Sequence, residues 1–349
     1  MSRHVFKKRA NLRDVARFAG VSVATVSRVL NSPEKVSAQT REKVDAAIAE
    51  LKFVPSAAAR AINSGRSRMV AALLPTLDNS IYARLVNGLE SRLALDGLSL
   101  IVAQTGEDGR EESERARQMV DIGAEALIVA GVTHDESFFD LIDRAQIPAI
   151  AISYFERGNR LPTVGYDNAE AVRVAATHLA DLGHRHIAVF HGPAATNDRT
   201  RRRLEALRSI ALDLDFRYYE TSLSMEGGHE AVAGFLGSDS QCTGIICFSD
   251  VIAYGTLGAL QRRAIEVPRD ISVMGIENLP GSEFTCPSLT SVRLRVEEMG
   301  IKAAECVSTW LETAVRPEPV YLKSELVRRE STARHKPDGT GRPGRLSRS

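Results

Sequence analysis

The sequence predicts a small all-α module at the N-terminus followed by an α/β body of two Rossmann-like lobes with parallel sheets, and three observations carry that prediction. Residues 11–51 hold three short helix signals and no strand pattern. From residue 69 onward, MVAALLP, LSLIVAQ, ALIVAG, PAIAIS, HIAVFHG, GIICFS and DISVMGI are short, nearly continuous apolar runs, the texture of strands buried on both faces. Helical patterns such as IYARLVNGLESRLALDG and NAEAVRVAATHLADLG lie between most of them. Such alternation over about 260 residues is too long for one lobe and fits two.

The N-terminal elements follow from their caps. Asn11 precedes LRDVARFA, Ser22 precedes VATVSRVLN and Ser37 precedes AQTREKVDAAIAEL, each placing a side-chain oxygen where free backbone N–H groups need an acceptor. Gly20 can take the left-handed conformation that ends the first helix, and Ser32-Pro33 ends the second. Pro55 then blocks continuation, and Ser56 caps a brief AAARAI that runs into Asn63-Ser64-Gly65. A helix of that length is marginal alone in water, so the segment is either a plain linker or a helix that forms only against a partner surface.

Charge separates the two parts. The 349 residues carry a formal net charge of +1, but residues 1–66 hold 13 Lys/Arg against 5 Asp/Glu, or +8. The remaining 32 against 39 give −7. Only the head therefore offers an attractive potential to phosphate, which points to nucleic acid. No apolar stretch approaches a membrane span and no signal peptide is evident, so no membrane partner and a cytoplasmic location are expected. Cys242, Cys247, Cys286 and Cys306 lack C-x-x-C spacing and read as reduced thiols without a metal. The tail from 336 to 349, rich in Gly, Pro, Arg and Ser, reads as disordered.

Helical geometry gives the second short helix a distinct outer face. At 100° per residue Val26, Val29 and Leu30 point inward, toward Val15, Ala16 and Ala19 of the first helix, while Val23, Ala24, Ser27, Arg28 and Asn31 point outward. Two amphipathic helices joined at a glycine occur in many all-α proteins, but here the outer face carries no acid and sits in the basic head. It suits a major groove: Arg28 can bind guanine in bidentate fashion, Val23 and Ala24 can meet thymine methyls, and Ser22, Thr25, Ser27 or Asn31 can hold phosphate or base edges. One such helix reads a short half-site, so a homodimer on a palindromic operator in double-stranded DNA is expected.

At NLRDVARFAGVSVATVSRVLN, VSAQTREKV, FVPSAAARAI and GRSR the chain resembles the lactose/galactose repressor family of bacterial transcription factors. The resemblance continues through LPTLDNSIY, IPAIAI, LGHRHIAVFHGP, FSDVIAYG, ISVMGI, PSLTSV and VRRESTA, covering about residues 11–334. It implies a helix-turn-helix headpiece over residues 1–66, with a hinge helix at about 56–62 that enters the minor groove through Ala59 and Ile62. Family members usually carry Leu where Ile62 stands; Ile has a similar volume for an apolar wedge. The body, 67–335, then resembles the type I periplasmic sugar-binding fold. Its N-lobe would take about 67–167 and 299–326, and its C-lobe about 168–295 and 327–335.

The resemblance also implies a small-molecule effector, a sugar or sugar derivative, in the cleft between lobes. Its contacts fall on Asp78, Asn79, Ile81 and Tyr82 after the first strand, on Arg203, on Ser249-Asp250, and on Glu277 of Gly275-Ile276-Glu277-Asn278. The family's R-x-x-G-[FW] pattern is broken by Ala206 and Leu207, and several aromatic or amide contacts are missing. If the extra arginines of Arg199-Thr200-Arg201-Arg202-Arg203 face the cleft, an acidic or phosphorylated effector fits. Effector-driven closure would alter the spacing of the paired heads and so the affinity for DNA. No cofactor is implied. Two rival readings stand beside this one: a sugar-binding sensor with little DNA binding, and an α/β enzyme, because His184, His186 and His191 lie close in sequence, yet H-E-x-x-H, G-x-S-x-G and a P-loop are all absent.

Overall fold

The computed structural model describes residues 10–54, 65–78, 80–106, 109–238 and 241–335. The hinge segment with Ala59 and Ile62, Asn79, and the tail from 336 lie outside the described residues. The chain divides into two compact units, Met1–Arg68 and Met69–Ser349.

In the first unit, α1 (Leu12–Ala19), α2 (Val23–Asn31) and α3 (Ala38–Glu50) begin at the three cap residues. Asn11 and Asp14 form a reciprocal capping box, so two free N–H groups of the first turn are satisfied at once. Gly20 adopts φ 66° at the C-terminus of α1, where a Cβ would be strained. Val15, Ala16, Val26, Val29, Val44, Ala47 and Phe53 form one buried cluster, with Ala19 and Leu30 at its edge. Each helix is too short to stand alone, and this shared core holds the three together.

The second unit contains two six-stranded sheets. The first lobe is built on β1 (Met69–Leu74), β2 (Ser99–Gln104), β3 (Ala124–Ala130), β4 (Ala149–Ile152) and β5 (Thr163–Gly165), in the order β2-β1-β3-β4-β5. The second lobe is built on β6 (His186–His191), β7 (Asp215–Glu220), β8 (Gly244–Cys247), β9 (Ser272–Glu277) and β10 (Thr290–Arg293), in the order β7-β6-β8-β9-β10. Near its end the chain adds β11 (Val320–Tyr321) to the first sheet beside β5 and β12 (Glu325–Val327) to the second beside β10. It thus passes between sheets three times, and among the described residues only the β10–β12 pairing is antiparallel.

Helices cover both faces of the sheets, as parallel strands buried on both sides require. In chain order these are α4 (Ser80–Leu95), α5 (Gly109–Asp121), α6 (Glu136–Ala145), α7 (Asn168–Asp181), α8 (Asp198–Arg208), α9 (Met225–Gly237), α10 (Asp250–Gln261) and α11 (Val296–Thr313). Asp198, after β6, bonds the loop after β3, and Asn168 links Ser153, after β4, to Arg203, which in turn reaches the Phe248 carbonyl after β8. The carboxyl ends of β1, β3, β4, β6, β8 and β9 therefore face the same region, the place where open α/β sheets present ligand-binding residues.

Candidate functional sites

On α2 the inward residues Val26 and Val29 are buried, and the exposed residues include Ser22, Val23, Ala24 and Arg28. Ser27 and Thr25 are half-buried. The Ser22 hydroxyl accepts from the Thr25 N–H at 3.0 Å and pairs with the Thr25 hydroxyl at 2.8 Å. These two hydroxyls thus pin the helix start, leaving Val23, Ala24 and Arg28 as the free part of the face. The side chain of Asn31 is outside the described set. The first turn of α2 holds no acid, so the partial positive charge of its N-terminus is not neutralised locally.

In the body, Tyr82, Tyr166, Arg199, Arg203 and Glu277 converge. Tyr82 comes from the first turn of α4, Tyr166 from the segment after β5, the arginines from successive turns of one face of α8, and Glu277 from the carboxyl end of β9. Burial pushes both phenols up, and the charges of Arg199 and Glu277 act on each of them. Arg203 is only 6% exposed. Its Nε donates to Asn168 Oδ1 at 3.0 Å and its Nη1 to the Phe248 carbonyl at 2.7 Å. Asn168 in turn donates to the Ser153 carbonyl of the first lobe at 3.0 Å, tying Arg203 to both halves of the body.

Glu277 has φ 126° and Asn278 φ 52°, backbone conformations that L-residues rarely adopt and that surrounding contacts must enforce. Asp250 supplies much of that enforcement. Its carboxylate accepts from Leu279 N–H at 2.7 Å, from Ser282 Oγ at 2.5 Å and from Ser291 Oγ at 2.6 Å. Ser291 Oγ accepts from Asn278 N–H at 3.0 Å, and Arg329 donates to Asn278 Oδ1 at 2.8 Å. Ser249 caps α10 and donates to Glu277 Oε2 at 2.9 Å. Burial, followed by the charge of Asp250, pushes the Glu277 carboxyl up to about 8.

A further contact joins the lobes. Asp198 Oδ2 accepts from Val132 N–H at 2.6 Å and from Thr133 N–H at 3.0 Å, both in the loop after β3, while Oδ1 accepts from Arg199 at 3.0 Å. Gly131, at φ 89°, lies beside this carboxylate and the Arg199 guanidinium, where a methyl group has no room.

Of the residues expected around an effector, the structure brings together Tyr82, Arg203, Ser249 and Glu277. Asp250 lies behind them as a support. Asp78 is exposed and Ile81 is buried in the central core, so neither joins the cluster. Tyr166, Asn168, Asp198 and Arg199 belong to the site without having been singled out individually. The stretch GYDNAEA carried a usable signal for the first two, since it places polar groups at a strand's carboxyl end and a helix start. The three clustered histidines do not converge. His184 bonds Thr243 Oγ1 at 2.8 Å and the Ala333 carbonyl at 3.1 Å, His191 bonds the Gly192 carbonyl, and His186 faces Asp215. Burial holds His184 down at about 4, in keeping with a neutral structural ring.

Glu277 makes the stability of the body depend on pH. Its folded-state value, raised from 4.5 to about 8, means the folded protein holds a proton that the unfolded chain releases. Its favourable contribution is full below about 4.5 and is lost as pH rises through about 8. Asp250, Arg203, Tyr82 and Tyr166 surround the group, and Glu277→Gln removes its titration. Urea unfolding should therefore show wild type losing stability between pH 6 and pH 9 by on the order of a few kcal/mol, and the variant losing less. Parallel losses in both proteins would exclude Glu277 as the source.

Fold and sites together define a two-lobed ligand-binding body carrying a helix-turn-helix module. Residues 11–56 match the family model for bacterial regulatory proteins of the lacI family, and residues 176–332 match that for a periplasmic binding protein-like domain. The HTH-type transcriptional regulator RegA of Clostridium saccharobutylicum is 30% identical over 92% of this chain and 99% of its own. A LacI-family transcriptional regulator from Silicibacter pomeroyi superposes with a TM-score of 0.82 at 27% identity, over 93% of this chain and all of that one. The lac repressor dimer bound to operator and the anti-inducer ONPF gives the same TM-score at 24% identity and equal coverage, a likeness of fold. The chain belongs to the lacI family of bacterial regulatory proteins and is a DNA-binding transcriptional regulator.

Proposed function

We propose that α2 enters the DNA major groove with Val23 and Ala24 against base edges and Arg28 on a guanine, while Ser22, Thr25, Ser27 and Asn31 set its register against phosphates. The hinge segment, with Ala59 and Ile62, completes the contact from the minor groove. The protein acts in the cytoplasm as a homodimeric repressor on a palindromic operator and carries out no catalysis. A sugar or sugar derivative binds between the lobes of the body, among Tyr82, Arg203, Ser249 and Glu277, with Asp250 supporting them from behind. Its effect on lobe closure changes the spacing of the two heads and hence the affinity for operator.

The observation that carries this reading is the exposed, acid-free surface of Val23, Ala24 and Arg28 in a head of charge +8. Because Arg28 is exposed, its removal should leave folding intact. Arg28→Ala is expected to cost about 1–3 kcal/mol at the preferred site and to relax selection at the base it reads. Site selection from random duplexes with both proteins measures this, and an unchanged preferred site would remove Arg28 from the reading face.

A further inference from the structure

The place of the Asp198 contact within the two sheets bears on how the lobes close. The three passages of the chain between lobes connect β5 to α7, β10 to α11 and β11 to β12, at one side of each sheet. β3 stands two strands from β5, and β6 stands three strands from β10. At about 4.8 Å per strand, the loop after β3 and the start of α8 after β6 lie on the order of 10 Å from the passages that serve as hinges. A hinge motion separates groups at that distance, while groups beside the passages stay together.

Two side chains of the second lobe reach the loop after β3. Asp198 Oδ2 accepts from the Val132 and Thr133 N–H groups at 2.6 and 3.0 Å. Arg201 Nη2 donates to Thr133 Oγ1 at 3.4 Å, while its Nη1 donates to the Ala194 and Ala195 carbonyls of its own lobe. The loop is in turn fixed to the first lobe: the His134 side chain, 1% exposed, bonds Glu112 of α5 through Nδ1 at 2.7 Å and packs on the Phe138 ring of α6 with 4.9 Å between centroids. Gly131 leaves the space that the carboxylate fills, since a Cβ there would lie 2.6 Å from Asp198 Oδ2. The bond from Asn168 to the Ser153 carbonyl, by contrast, sits beside the first passage.

We propose that Asp198 and the 131–133 loop form a latch that holds the two lobes closed through the chain's own groups. Parting the lobes breaks two charge-assisted hydrogen bonds, so the body has a closure preference of its own, and an effector acts by adding to that preference or opposing it. This rests on the reading that lobe closure governs the DNA-binding heads, and it specifies which contact sets the closure.

Double electron–electron resonance on the full-length protein reads the separation of the lobes. Spin labels are attached by a non-cysteine chemistry at the exposed Glu114 of α5 and Ser209 after α8, and labelled protein is diluted into unlabelled protein. Asp198→Ala is expected to raise the ratio of long to short distances about tenfold or more. Asp198→Asn, which keeps one acceptor oxygen, should raise it less. Gly131→Ala leaves the carboxylate but puts a methyl group in its space, so it should open the lobes as well, and it covers the case in which Asp198→Ala does not fold. An unchanged distance distribution in either folded variant would overturn the latch. Operator affinity of the same proteins, measured without added effector, tests the underlying reading separately: lobes that open with no change in operator affinity would leave the latch standing and overturn the coupling of closure to DNA.

Discussion

Asp250→Ala is expected to destabilise the body by about 3–5 kcal/mol, because it removes one acceptor group that satisfies three buried donors. Leu279 N–H and the hydroxyls of Ser282 and Ser291 all bond this carboxylate, which has no solvent exposure. Each orphaned donor costs about 1–3 kcal/mol before relaxation. The strained conformations of Glu277 and Asn278 lose their support in the same step. Trp310, the only tryptophan, packs on the central core of the body, so its fluorescence during urea unfolding reports on this unit. The midpoint should fall with little change in denaturant slope. A loss below about 1 kcal/mol would mean that the three donors find other partners and that Asp250 is not the support of the Glu277 turn.

Operator binding is expected to be steeply salt-dependent. The head carries +8 in residues 1–66 and the rest of the chain −7, so attraction to phosphate is concentrated at one end of the sequence. If a dimer neutralises about 6–10 phosphates, affinity falls about 10³–10⁵-fold between about 50 mM and about 200 mM salt. Fluorescence anisotropy with labelled duplex across that range gives the slope directly. A slope near zero would mean that the basic head does not contact the DNA backbone.

Local chemistry made the head legible. Asn11, Ser22 and Ser37 each have a side-chain oxygen suited to capping, each precedes a periodic apolar pattern, and each begins a helix in the structure. Six of the seven continuous apolar runs likewise became interior strands, because a strand buried on both faces has no polar side to disguise it, whereas LSLIVAQ became the half-exposed edge strand β2. The edge strand DFRYYE, at 215–220, was less visible since its side chains are largely exposed or half-buried and carry charges at both ends. β11 and β12 are only two and three residues long and exist through pairing with β5 and β10, which no local pattern encodes.

The cleft was legible in part. Arg203 and Glu277 stand out as charged residues at helix and strand positions that the family resemblance marks. The division of labour between Asp250 and Glu277 was not, since both are acids following apolar strands. Only the folded geometry gives one three structural donors and leaves the other at the cleft. Asp198 shows the same limit. Its partners are backbone N–H groups about 65 residues away in sequence, and backbone donors leave no trace in side-chain identity.

Nuclease footprinting of the full-length protein on the DNA upstream of its own coding region, at low ionic strength, tests the central claim most directly. Protection of a two-fold-symmetric sequence, abolished when residues 1–66 are deleted and weakened by Arg28→Ala, is the expected result. Uniform cleavage at every protein concentration, or protection that survives deletion of those residues, would contradict it.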